Sequence, residues 1–254
     1  LAHAKLGRLK ESVESFEQAL TQDPACASAA FQQGLSYANL GRYSEAVAAY
    51  DRALQVSPEY ADALYHKGIA LARLGKNEDA IAEFEKTLSE DSSNAQAYHQ
   101  KGTLLLKVGR YEDAVTSFDE SIRLKPNYAQ SFHDKGIALI KLERFEDAID
   151  AFASALAINN NYVNAYYYTG IAFTELRRYE EALDAFDHAL EIDPIHTLAL
   201  YQRGATLMHI RHYAEAVSAF DSLLAVSPQY TAALYEKGVA LLYLSRFQEA
   251  CQTF

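Results

Sequence analysis

Residues 63–76 read ALYHKGIALARLGK. Leu64, Ile69, Leu71 and Leu74 recur at helical spacing, yet Gly68 sits among them, where glycine costs about 1 kcal/mol relative to alanine. The same conflict returns every 34 residues, at Gly34, Gly68, Gly102, Gly136, Gly170, Gly204 and Gly238. A cost repeated on a fixed period is a packing requirement. It predicts antiparallel helix pairs so close that only glycine leaves room, with the first alanine of the second helix opposite, as Ala80 would face Gly68.

With each of these glycines at position 8, complete repeats span 27–60, 61–94, 95–128, 129–162, 163–196 and 197–230, flanked by partial repeats 1–26 and 231–254. All five prolines, Pro24, Pro58, Pro126, Pro194 and Pro228, fall at position 32, where a residue without an N–H stops one helix before the next. The remaining glycines, Gly7, Gly41, Gly75 and Gly109, fall at position 15, the expected turn inside each pair, where positive φ is cheap for glycine. Alanine holds position 20 and an aromatic residue position 24, from Ala46 and Tyr50 to Ala250 and Phe254. No glycine is left for a phosphate-binding loop.

Small or aromatic at 4, glycine at 8, large apolar at 11, alanine at 20, aromatic at 24, small at 27 and proline at 32: this pattern resembles the tetratricopeptide repeat along the whole chain. The resemblance implies an all-α fold, a right-handed superhelical solenoid of antiparallel helix pairs forming one array over residues 1–254. Position 7, usually leucine in that family, is here Lys67, Lys101, Lys135, Arg203 and Lys237, with Gln33 and Thr169 in the other repeats.

Half of the residues are apolar, enough for a continuous core, and no apolar run approaches the ~18 residues that a membrane span needs. The net charge of −11 disfavours a nucleic-acid partner, which is gripped by clustered Lys and Arg. The two cysteines, Cys26 and Cys251, lie far apart at unlike repeat positions, which favours a reducing compartment and a cytoplasmic location.

The first helix of each repeat (A) is apolar or small nearly all round, with a polar stripe at positions 2, 6 and 13, whereas the second (B) has one apolar face and a broad polar back. Helix A therefore lines the inner surface of a stacked array, and its stripe faces a groove. Position 13 supplies Arg73, Lys107 and Lys141, a ladder about 20 Å long if adjacent A helices lie about 10 Å apart. Position 6 supplies His66, Gln100, Asp134, Tyr168 and Gln202. Beside them at position 5 run Tyr65, His99, His133, Tyr167, Tyr201 and Tyr235, with Ile171 at position 9. Three successive tyrosines, Tyr166 to Tyr168, cannot share one buried face, and Tyr168 is expected to point into the groove.

These residues predict a non-catalytic scaffold that holds a peptide or helix of another protein, one with acidic groups, and no nucleic acid, membrane, metal or cofactor. Members of the resembled family that clamp a terminal carboxylate use asparagine at position 9, and here that position is Leu35, Ile69, Thr103, Ile137, Ile171, Ala205 and Val239. His209 and His212 lie three residues apart but lack a third metal ligand in the pattern. A self-assembling array and the regulatory region of a larger enzyme are the other readings. The first of these expects exposed Leu241, Leu244 and Phe247 and end-to-end association.

Overall fold

The structure, a computed structural model, describes residues 2–254. Its helices are α1 (Ala2–Gln22), α2 (Ala27–Asn39), α3 (Tyr43–Val56), α4 (Ala61–Arg73), α5 (Asn77–Glu90), α6 (Ala95–Lys107), α7 (Tyr111–Leu124) and α8 (Ala129–Lys141). They continue as α9 (Phe145–Ile158), α10 (Val163–Glu175), α11 (Tyr179–Ile192), α12 (Thr197–His209), α13 (Tyr213–Val226), α14 (Thr231–Tyr243) and α15 (Phe247–Thr253). No strand occurs among the described residues. Two compact units divide the chain, Leu1–Pro126 with α1 to α7 and Asn127–Phe254 with α8 to α15. Within each, every helix packs on the next in sequence, giving A helices α2, α4 and α6 in the first unit and α8, α10, α12 and α14 in the second.

Every A helix from α2 onward begins at position 1 of the repeat frame. The break expected at Gly7 is absent, because α1 runs unbroken through it. Elsewhere position 15 does make the turn. Gly41, Gly75 and Gly109 have φ of 75°, 78° and 84°, and the same left-handed conformation is forced on Glu143 (58°), Arg177 (58°), Arg211 (63°) and Ser245 (59°). A side chain there costs about 1 kcal/mol. Glu143→Gly should therefore raise stability by about that amount, read as a higher urea midpoint at unchanged slope.

The atoms nearest to the position 8 glycine belong to the aromatic ring at position 24. A Cβ built on Gly68 would meet the Phe84 ring at 3.0 Å, and one on Gly136 would meet Phe152 at 2.5 Å. The same ring, at position 24, blocks every such glycine, from Gly34 under Tyr50 to Gly238 under Phe254. Both the alanine and the aromatic lie on the apolar face of helix B, one turn apart, and the hairpin settles on the register that buries the larger surface. Phe84, Phe118, Phe152, Phe186 and Phe220 are fully buried, each stabilising its pair by about 2–3 kcal/mol.

Position 7 resolves into links between repeats. Lys67 Nζ lies 2.7 Å from Asp51, Lys101 Nζ 2.8 Å from Glu85, Arg203 Nε 2.5 Å from Asp187 and Lys237 Nζ 2.7 Å from Asp221. Each acid is sixteen residues earlier, at position 25 of the preceding repeat's B helix. Where that position is Ala153, the matching residue is Thr169, whose hydroxyl donates instead to the Ala165 carbonyl at 2.8 Å. Gln33 bonds the Arg52 guanidinium. Lys67 also reaches Glu83 Oε1 at 3.0 Å, as does Lys86. Burial pulls the Lys67 ammonium down, but hydrogen bonds with Asp51 and Glu83 outweigh it and hold its pKa above the ordinary lysine value.

Of the three apolar residues expected to be exposed in the last pair, Phe247 is open and Leu244 half-buried, but Leu241 is buried against Val217 and Ala250. Position 11 of an A helix points at the preceding repeat, so its covering is already present.

Candidate functional site

In the first unit, α2, α4 and α6 lie side by side and expose positions 2 and 13: Ser28, Asp62 and Gln96, and Asn39, Arg73 and Lys107. Neither Arg73 nor Lys107 has an ion pair among the described residues. At position 6, His66 and Gln100 are half-buried, whereas Gln32 is exposed. His66 packs on Phe31 (5.6 Å between centroids), Tyr65 (5.3 Å) and Tyr50 (6.3 Å), and this burial keeps its pKa below the ordinary histidine value, against the pull of Asp62. Gln100 is half-buried, as is Tyr65, whose ring lies 5.7 Å from Phe84. His99 is only 2% exposed and packs on Phe118 at 5.8 Å, so it belongs to the core and leaves the groove.

The second unit treats position 5 unequally. His133 is buried, with Phe152 at 5.8 Å, Tyr162 stacked at 4.6 Å and Tyr168 edge-on at 5.7 Å, and its Nδ1 is 2.9 Å from Asp134. It too is a core residue, because two later rings cover it. Burial pushes the Tyr162 phenol up to about 12, with Asp134 and Tyr128 adding to it. The tyrosine run splits three ways. Tyr166 lies against His188 (5.3 Å), Tyr167 against Phe186 (6.2 Å) and His196 (5.5 Å), and Tyr168 stacks on Phe152 (6.0 Å). Burial, with Tyr168 and Tyr230, raises the Tyr167 phenol against a hydrogen bond with Gln202. Tyr167, Tyr168, Ile171, Tyr201 and Gln202 are half-buried, while Tyr235 and Lys141 are exposed. Lys141 has no ion pair among the described residues.

Two sets of residues on this face escaped the sequence reading. Position 34, the residue before each A helix, supplies Tyr60 on Phe31 (5.0 Å), Tyr162 on His133 and Tyr230 on Tyr201 (5.4 Å). Position 17, which opens each B helix, supplies Tyr179 stacked on His209 (5.4 Å) and Tyr213 stacked on Tyr243 (4.5 Å). Both recur on the same period as the glycines, so the signal was present; it lay at helix ends, where aromatic residues read as loop or as core edge. His209 and His212 are held separately, the latter with Nδ1 3.2 Å from Glu215.

Sequence profiles of the tetratricopeptide repeat match residues 1–55, 31–95, 133–194 and 201–254, and a second such profile matches 93–161. The chain belongs to the tetratricopeptide repeat family. No curated protein matches it. Among solved structures, the C-terminal part of a tetratricopeptide repeat protein from Cytophaga hutchinsonii superposes with a TM-score of 0.78 at 17% identity, over 91% of this chain and 95% of that one. YrrB, described as a tetratricopeptide repeat protein with an unusual peptide-binding site, gives 0.67 at 24% identity over 74% and 97%. MamA from Desulfovibrio magneticus gives 0.64 at 22% over 67% and 97%. These likenesses establish the fold. Within this tetratricopeptide chain, no helix among the described residues is long and apolar enough to cross a membrane.

Proposed function

We propose that this chain is a non-catalytic interaction scaffold whose A-helix face holds a segment of another protein, and that the segment carries acidic groups. The observation that carries this reading is the exposure of Arg73 and Lys107 on adjacent A helices, without ion pairs among the described residues, in a chain of net charge −11. A protein so acidic has carboxylates to spare for them, yet leaves both open. Lys141 occupies the same position on α8 in the second unit. Each unit offers half-buried or open surface of its own beside these cations, Tyr65, His66 and Gln100 in the first and Asp134, Tyr167, Tyr168, Ile171, Tyr201, Gln202 and Tyr235 in the second. The peptide-binding site named for YrrB supports the reading, and a cytoplasmic location goes with it, supported by two cysteines without a disulfide.

Adjacent A helices lie about 10 Å apart, and an extended peptide rises about 3.3 Å per residue, so acidic groups about three residues apart would meet Arg73 and Lys107. Random dodecapeptides displayed on phage and selected on the purified chain should show that spacing. Changing Arg73, Lys107 and Lys141 all to glutamate should abolish capture with the melting temperature within about 1 °C, because exposed charges contribute little to folding. Binding should weaken with salt. Selection of no peptide, or of peptides that bind the triple variant as well, would overturn the reading.

A further inference from the structure

We infer that a cavity between α12, the start of α13 and α14 receives a basic side chain of the bound segment. This rests on the groove reading and adds a second, opposite chemistry to it. The cavity has a volume of about 280 Å³, enough for a whole lysine or arginine side chain, and Met208, His209, Tyr213, Glu236, Val239 and Tyr243 line it. Its aromatic wall is fixed in place. Tyr213 and Tyr243 are stacked at 4.5 Å with 6° between their planes, and His209 is braced on Tyr179 with 10° between planes. Tyr243 is 64% exposed, so ring surface remains open to a ligand.

The charge of the cavity decides the occupant. Glu236 is half-buried in its wall and has no ion pair among the described residues. Two cations on α14 and the turn after it are committed elsewhere: Lys237 points to Asp221 at 2.7 Å, and Arg246 to Glu249 at 2.6 Å. An acidic ligand group would meet the Glu236 carboxylate as a like charge, and an apolar one would bury that carboxylate unpaired, at a high cost. A cation avoids both penalties. It donates a charge-assisted hydrogen bond to the Glu236 carboxylate and is attracted to the tyrosine faces within about 6 Å. Val239 and Met208 accommodate the methylene stem, which long basic side chains lay on apolar surface.

Met208 is the chain's only methionine, so labelling the methionine methyl group with carbon-13 gives a single resonance inside this cavity. The probes are three blocked tripeptides, Gly-Arg-Gly, the uncharged Gly-citrulline-Gly and Gly-Glu-Gly. The arginine peptide should shift the resonance saturably, with the other two binding about fivefold more weakly or worse. Glu236→Gln should reduce arginine binding to the citrulline level, and Tyr243→Leu should weaken it with the melting temperature retained. Equal binding of the three peptides, or an unaffected Glu236→Gln variant, would overturn the inference. Repeating the dodecapeptide selection on Glu236→Gln separates the two levels. Peptides that are enriched but indifferent to the substitution remove the cationic site and leave the groove reading standing, whereas failure to select any peptide on the wild-type chain removes both.

Discussion

Gly136→Leu should lower the melting midpoint by about 10 °C, the effect of overpacking by about 3 kcal/mol in a chain of this size. The added Cβ would lie 2.5 Å from Phe152 Cε1, and that ring has nowhere to go. Phe152 is fully buried, with His133 at 5.8 Å and Tyr168 stacked at 6.0 Å. Gly136→Ala should already lose a substantial part of that amount. Gly75→Ala is the control: its φ is +78° but nothing lies within 4 Å of the new Cβ, so only the backbone term of about 1 kcal/mol applies. Adding Phe152→Ala to Gly136→Leu should cost far less than the sum of the single changes, because the cavity admits the leucine. A Gly136→Leu protein that melts with the wild type, or strictly additive effects, would rule out the ring as the cause.

Lys67→Met should cost about 2 kcal/mol, and Glu83→Ala should restore most of it in the same chain. Glu83 has a side chain only 8% exposed, and its Oε1 is shared by Lys67 and Lys86, both at 3.0 Å. Its Oε2 is buried without a hydrogen-bond partner among the described residues. Removing Lys67 leaves a buried carboxylate with one largely exposed lysine, and the figure is below that for a fully buried pair because Lys86 remains. Other repeats avoid the difficulty by placing Ala49, Ala151, Ala185 or Ala219 at this position. The measurement is the urea midpoint of the single and double variants. Wild-type stability of Lys67→Met, or a double variant as weak as the single one, would refute the account.

The period made the helices legible, because glycine, proline and alanine act through the backbone and through steric limits that any neighbour must respect. Thus A helices begin at Ala61, Ala95 and Ala129 as the frame requires. Facing partners were less legible. The atoms nearest to Gly68 belong to Phe84, which shares one apolar face with Ala80, and the pattern alone does not say which of the two lies closest. Position 5 failed for a related reason: His133 and Tyr235 look equivalent in the pattern, but the rings of Tyr162 and Tyr168 bury the first while the second stays exposed. The cavity at Glu236 is built partly by Tyr213 at a helix start, where an aromatic residue recurs on the period but reads as the edge of the core rather than as part of a site.

The ion pairs between successive repeats also bear on how such a chain can be cut and rejoined. Excising residues 61–94 would bring Asp51 opposite Lys101, one acid again facing one cation, because donor and acceptor hold the same places in either repeat. Excising residues 163–196 would set Ala153 opposite Arg203, leaving a guanidinium without its carboxylate. The repeats are therefore interchangeable parts only where their electrostatic couplings match. Ala153 and Thr169 form a mated exception that must be duplicated or lost together, whatever the helices around them tolerate.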